Sequence, residues 1–178
     1  MCDGATHEEV LADTHARIER FGFTLLGVEP DQDHPPWLYT IGLVDNFDHP
    51  ELSILGAPLG FSAAVLNHWA RYVIDGHLLA DGETGQITGM RYSDDETTVA
   101  SDVIFHIDAV DERLLHAEMF NQWHQYYLWR GGLAPPPEAL ELIICGAQPD
   151  IFTPGRANRA ARRARARRKH RRSEWGVS

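Results

Sequence analysis

The sequence predicts an α+β domain with a mostly antiparallel sheet of about five to six strands, packed with three helices and followed by a disordered basic C-terminal tail. Strand-like stretches occur in runs that few helices interrupt, in the order α-β-β-β-α-β-β-α-β, whereas a doubly wound sheet would alternate strand and helix. The 178 residues are 43% hydrophobic, enough for one core without disulfides or metals. Composition changes after Gly155, so we expect one domain over 1–155 and a flexible Arg-rich tail over 156–178.

The first element is a helix. Thr6 followed three residues later by Glu9 is a capping box, in which each side chain satisfies a free backbone N–H at the start of the helix. Apolar residues then recur at helical spacing from Val10 to Phe21. Gly22 supplies the left-handed conformation that commonly ends a helix.

Three strands are expected next, over 23–28, 37–44 and 52–55. Alternation within the second strand places four apolar or aromatic side chains on one face: Trp37, Tyr39, Ile41 and Leu43. A second helix follows over 58–75, and Gly76 ends it. Its predicted buried stripe consists of Val65, Leu66, Trp69 and Val73.

The remaining elements are two strands, a helix and a final strand. We expect a strand over 87–92, a polar loop over 93–100 and an alternating strand over 103–110. Asp111 then caps a third helix with an aromatic stripe of His116, Phe120, Trp123 and Tyr127. That spacing is typical of a core-facing helix, so we interpret it as packing rather than a stacking platform for bases or a cofactor. Gly and Pro residues break the chain before the last strand, over 140–145.

Charge separates the domain from the tail. Residues 1–155 carry 25 acidic residues against six Arg, a formal charge of −19, and residues 156–178 sum to +9. The acidic domain should repel polyanions, whereas the tail should bind RNA, DNA or another polyanion through phosphate contacts. The expected contact residues are Arg159, Arg162, Arg163, Arg165, Arg167, Arg168, Lys169, Arg171 and Arg172. Self-interaction between tail and domain, or no specific role, remain alternatives.

Two cysteines, Cys2 and Cys145, form neither a disulfide framework nor a zinc motif, which is typical of a reducing compartment. The N-terminus lacks the basic and apolar segments of a signal peptide, and no apolar run reaches the roughly 18 residues of a membrane span. The sequence therefore predicts a cytoplasmic protein with no membrane partner. It leaves the oligomeric state open.

The segment Tyr39-Thr40-Ile41-Gly42-Leu43 is followed by His49-Pro50-Glu51-Leu52 and then Gly56. This pattern resembles the domain-of-unknown-function 4262 family of bacterial proteins, whose hallmark is a YTIGL-type strand before an HPEL-type turn. The resemblance is closest over residues 7–76. Toward the C-terminus, the strand over 140–144 resembles a family LQLVW-type strand, with Glu141 in place of Gln. The resemblance implies the family's layout but no activity, and the tail lies outside it.

The catalytic candidates are Tyr39, Thr40, His49, Glu51 and His106. A strand ending near a His-Pro-Glu turn would place His49, Glu51 and the Tyr39 hydroxyl around one pocket, with the imidazole as general base and the carboxylate orienting it. A purely structural role is the alternative, with His49 hydrogen-bonded to backbone in the turn. The chain is accordingly either a non-enzymatic binding or accessory protein, or a small enzyme such as a hydrolase.

His106 and Asp108 share a strand face but provide only two of the three or four ligands that a transition metal needs. Further histidines are scattered over loops: His34, His49 and His77. The Gly82–Gly85 segment lacks the Lys of a P-loop, and the Gly60–Ala64 segment lacks the second Gly of a nucleophile elbow. We therefore predict no metal site and no cofactor.

Overall fold

The structure, a computed structural model, describes residues 6–32, 34–94, 97–111, 115, 120–131 and 138–146. Within them the helices are α1 (His7–Phe21), α2 (Leu43–Phe47), α3 (Leu59–Ile74) and α4 (Asn121–Trp129). The strands are β1 (Thr24–Val28), β2 (Trp37–Ile41), β3 (Glu51–Leu55), β4 (Thr84–Asp94), β5 (Thr97–Ala109) and β6 (Ala139–Gly146). The predicted tail over 156–178 lies outside the described residues.

One six-stranded sheet has the order β1-β2-β3-β6-β5-β4. Neighbouring strands are antiparallel except β3 and β6, which are parallel and join the N-terminal and C-terminal halves of the sheet. The predicted α+β class and mostly antiparallel sheet are confirmed. The three predicted helices correspond to α1, α3 and α4, and the short α2 is an addition. The capping box of α1 is present as predicted.

The sheet separates two apolar clusters because side chains alternate along its strands. Leu38 of β2 faces α3, whose Phe61 and Leu66 are almost fully buried. Tyr39 faces the opposite side, where α1 and α4 pack, and Trp123 is buried there. The aromatic stripe of α4 therefore belongs to the core, which confirms the packing interpretation for Phe120, Trp123 and Tyr127.

The predicted strand over 37–44 is wrong beyond Ile41. Gly42 adopts a left-handed conformation with φ of 114°, and Leu43 begins α2 instead of continuing the strand. A Cβ atom at Gly42 would lie 2.8 Å from the carbonyl oxygen of Gly22. The position therefore requires glycine for two reasons: other residues rarely adopt this φ, and there is no space for a side chain. The chain therefore turns out of the sheet at Gly42.

The predicted loop over 93–100 is also wrong. β4 and β5 form a long hairpin in which Asp94 pairs with Thr97 and Arg91 with Ala100. The polar composition suggested a loop, but β-branched types such as Thr97 and Val99 favour strands, and pairing requires no apolar face. The predicted helix start at Asp111 cannot be compared, because residues 112–114 and 116–119, including His116, lie outside the described residues.

The Gly42→Ala substitution should lower the free energy of unfolding by about 3 kcal/mol, because it adds an overlap with the Gly22 carbonyl to the cost of a positive φ. Gly76→Ala is the matched control. Gly76 has φ of 91° but open space around its Cβ position, so we expect a loss of only about 1 kcal/mol. Denaturant unfolding measures both. Equal losses would contradict a steric role for the Gly22 contact.

Candidate functional site

The Glu51 carboxylate lies at the start of β3 and accepts four hydrogen bonds. Its Oε2 accepts from the Thr40 hydroxyl at 2.6 Å and from the backbone N–H of Leu43 at 3.3 Å. Its Oε1 accepts from the backbone N–H groups of Gly42 at 2.8 Å and Val44 at 3.4 Å. The side chain thereby connects the end of β2 with the beginning of α2.

Local sequence explains why α2 depends on this contact. The N-cap position is Gly42, which has no side chain to satisfy the free N–H groups of the first turn. Glu51 provides the acceptor from the next strand, at the positive end of the helix dipole. The Thr40 hydroxyl completes the network, because its oxygen also accepts from the backbone N–H of Leu52 at 2.8 Å. The polar network joins β2, α2 and β3.

Burial sets the protonation of Glu51. The residue is 1% exposed, and loss of hydration raises the pKa of its carboxyl to about 7, although the four hydrogen bonds oppose this shift. Burial likewise raises the pKa of the Tyr39 and Tyr127 hydroxyls, and the nearby Glu51 charge adds to both shifts. Glu51 is thus a buried acid whose pKa is raised by desolvation toward neutral pH.

Both ring nitrogens of His49 contact the protein backbone. Nε2 accepts from the backbone N–H of Leu79 at 3.1 Å, so the proton lies on Nδ1, which donates to the carbonyl of Pro50 at 2.7 Å. The residue is 1% exposed, and desolvation lowers the pKa of its imidazole. His49 is therefore held as a neutral ring that connects the turn before β3 with the segment after α3.

The structure places the five catalytic candidates in different surroundings. Thr40 and Glu51 are hydrogen-bonded to each other, whereas His49 contacts Pro50 and Leu79. Tyr39 packs against Phe120 with ring centroids 4.7 Å apart. Burial raises the pKa of the Tyr39 hydroxyl, and a hydrogen bond to the backbone of Trp123 opposes this shift. Catalytic roles for these residues stay predictions.

His106 lies on β5, two strands away from Glu51 in the sheet order. Its Nε2 is 2.8 Å from the Asp108 carboxylate, which confirms that the two residues share a face. Across the described ranges, no three His, Cys, Asp or Glu side chains are grouped closely enough to hold a metal ion. Nor does any helix in those ranges have the length and apolarity to cross a membrane.

A surface cavity of about 460 Å³ lies between α3 and β4, away from the Glu51 network. The side chains around it include Asn67, His68, Arg71, Tyr72, Asp75 and Ile87. This groove is not predictable from helical periodicity, because the polar residues of α3 have the spacing of an ordinary solvated face. Their recurrence at positions 67, 68, 71 and 75 beside a strand was the one available signal.

Comparison with known families decides the classification. The model of the DUF4262 family, a domain of unknown function, matches residues 17–128. The chain belongs to this family. No curated protein and no solved structure matches it. The matched DUF4262 region runs from the middle of α1 into α4 and extends beyond the 7–76 segment where the sequence resemblance is closest.

The hallmark segments of DUF4262 meet in the Glu51 network. The YTIGL-type segment provides Thr40, Gly42 and Leu43, and the HPEL-type segment provides His49 and Glu51. Every polar side chain among these residues bonds within the protein. In this DUF4262 domain the two segments form the cap of α2 and the turn before β3.

Glu51→Gln should alter the pH dependence of stability in the DUF4262 domain. A folded pKa of about 7, above the ordinary 4.5, means that the folded state binds the proton more tightly than the unfolded state. The stabilisation is complete below pH 4.5 and is lost as the pH rises through 7, by about 3 kcal/mol in total. Relative to Glu51→Gln, the wild type should therefore lose stability between pH 5 and 8. A constant difference in unfolding free energy across that range would exclude the raised pKa.

His49 should remain the neutral Nδ1–H tautomer at pH 7 and should not gain a proton at its ordinary pKa of 6.5. Long-range ¹H–¹⁵N spectra of the ring nitrogens measure both properties. The exposed His34 in the same spectra provides the comparison with a histidine ring that is in contact with solvent. Protonation of His49 in step with a solvent-exposed histidine would contradict the hydrogen bond from Leu79.

Proposed function

We propose that the chain is a non-enzymatic binding or accessory protein whose basic C-terminal segment, residues 156–178, contacts nucleic acid or another polyanion. The observation that carries this proposal is the separation of charge: +9 on residues 156–178 against −19 on residues 1–155. Nine Arg and Lys between positions 157 and 172 offer a high density of phosphate contacts. RNA is the polyanion we favour, because arginine-rich segments are a recurring means of RNA recognition.

The folded domain supports this division of roles. Exposed carboxylates such as Glu8, Glu19 and Asp102 give its described surface an acidic character. Arg17 and Arg130, two of its few basic side chains, are already paired with Asp13 and Asp45. Such a surface repels phosphate, so a polyanion would bind through the C-terminal segment.

The alternative, a small hydrolase with its pocket at the YTIGL strand, has one observation in its favour: the raised pKa of Glu51. The contacts argue against it. The carboxylate and the His49 ring are each 1% exposed, and their polar atoms bond to Thr40 and to backbone groups. A general base requires a route to the substrate proton, and these groups are fully engaged in the fold.

We further propose that the protein is cytoplasmic. Cys145 is an exposed free thiol, which persists in a reducing compartment where RNA is also present. The acidic domain is itself a competing target for the basic segment, so tail-to-domain contact is the second candidate partner.

The full chain should bind a single-stranded RNA of about 20 nucleotides in a strongly salt-dependent manner, and a chain ending at Gly155 should not bind it. With six to nine phosphate contacts, the affinity should fall by roughly two to four orders of magnitude between about 50 and 200 mM salt. Fluorescence anisotropy at the two salt concentrations measures this. Equal binding by the full and shortened chains would refute the proposal.

Two sets of substitutions provide the matched control at the same five positions: Arg162, Arg163, Arg165, Arg167 and Arg168. Replacement by Gln removes the charge and should abolish most of the binding, whereas replacement by Lys retains charge and phosphate contacts. If a peptide of residues 156–178 binds the 1–155 domain instead and full-length protein fails to bind RNA, the partner is the domain itself.

A further inference from the structure

The groove between α3 and β4 contains an arginine that the described part of the protein leaves unpaired. Four arginine side chains are described, and the other three have partners: Arg17 with Asp13, Arg130 with Asp45, and Arg20 over the Phe21 ring at 4.8 Å. Arg71 has neither an ion pair nor a hydrogen bond from its side chain among the described residues. In so acidic a domain, an uncompensated guanidinium beside a cavity is a distinctive feature.

Asp75 lies one helical turn after Arg71, lines the same groove and also lacks an ion pair within the described ranges. Residues four apart on a helix are neighbours, with Cβ atoms about 5–6 Å apart. The order of basic residue before acidic residue is the less favourable one for a pair along the helix. The groove therefore presents a positive and a negative group side by side, and neither neutralises the other.

The rest of the groove combines apolar surface with hydrogen-bonding groups. Tyr72 stacks on His77 with ring centroids 4.0 Å apart, which fixes its ring at the edge of the cavity, and Ile87 of β4 forms part of the wall. Asn67 and His68 add polar groups on the same helix face. The volume of about 460 Å³ suits a small organic molecule.

We infer that this groove binds a free amino acid with an apolar side chain. Its carboxylate pairs with the Arg71 guanidinium, its ammonium pairs with Asp75, and its side chain packs on Tyr72 and Ile87. A simple anion would pair with Arg71 but would be repelled by the Asp75 carboxylate. A simple cation would pair with Asp75 but would be repelled by the Arg71 guanidinium. A zwitterion pairs with both groups, so the groove should bind it more tightly than a ligand that carries only a carboxylate or only an ammonium group. This binding is independent of the basic C-terminal segment.

The test uses the full chain and three related probes: L-phenylalanine, 3-phenylpropanoate, which lacks the ammonium group, and 2-phenylethylamine, which lacks the carboxylate. Isothermal titration calorimetry should show saturable binding of L-phenylalanine with a dissociation constant of about 1 mM or lower. Each analogue should bind about tenfold more weakly, because it leaves one charged group of the groove unpaired.

Substitutions then assign each contact. Arg71→Gln should weaken L-phenylalanine and 3-phenylpropanoate about tenfold but leave 2-phenylethylamine unchanged, and Asp75→Asn should weaken L-phenylalanine and 2-phenylethylamine but not 3-phenylpropanoate. Both residues are exposed, so the fold should persist, and Arg17→Gln on α1 is the control that should bind as the wild type does. Three results would overturn the inference: no saturable binding of L-phenylalanine up to about 20 mM, equal affinity for all three probes, or an Arg71→Gln variant that binds L-phenylalanine normally.

Discussion

The hydrogen bonds of the Glu51 carboxylate are the interactions on which the rest of the domain depends. The carboxylate satisfies the free N–H groups at the start of α2 and holds the Thr40 hydroxyl at the end of β2. Its own backbone N–H donates to the carbonyl of Glu138 at 2.9 Å, and Glu51 pairs with Ala139 in the parallel β3–β6 ladder. That ladder is the junction between the two halves of the sheet. One residue therefore fixes a helix start, a strand end and the central joint.

Burial of this network constrains its chemistry. Water is excluded from both Glu51 and His49, and desolvation penalises the charged form of an acid and of a base alike. The pKa of Glu51 rises and that of His49 falls, so both shifts favour the neutral side chain. Glu51 and His49 are kept in the interior because each has hydrogen-bond partners and because burial disfavours its charged form. In this network the two side chains hold backbone N–H groups in place.

The sequence predicted the elements whose signals are local. The capping box of Thr6 and Glu9, the alternation of β2 and the aromatic stripe of α4 each depend on residues close along the chain, and each is present in the structure. The end of β2 could not be predicted this way. Leu43 continues the apolar alternation, whereas the left-handed conformation of Gly42 and the hydrogen bonds from the next strand, through Glu51, direct the chain out of the sheet.

The candidate site shows the same limit. Thr40, His49 and Glu51 were identified from residue type and spacing, but their partners were not, because most are backbone N–H groups that every residue except proline carries. Leu79 is the clearest case, since its backbone rather than its side chain contacts His49. Arg71 and Asp75 were missed for a different reason. An exposed charged pair on a helix has the same sequence pattern whether it faces bulk water or a groove.

The proposed contact between RNA and the C-terminal segment raises the question of how an RNA strand could bind that segment without being repelled by the acidic domain. Electrostatic repulsion decays over about 8 Å at physiological ionic strength. The 12 residues between Gly146, the end of β6, and Arg159 reach at most about 40 Å when extended. The connection is therefore long enough to place phosphate contacts several screening lengths from the acidic surface. At low salt the Debye length is greater, so the acidic domain would compete more strongly for the same arginines. Its charge would therefore reduce the RNA affinity most under the conditions in which phosphate contacts are strongest.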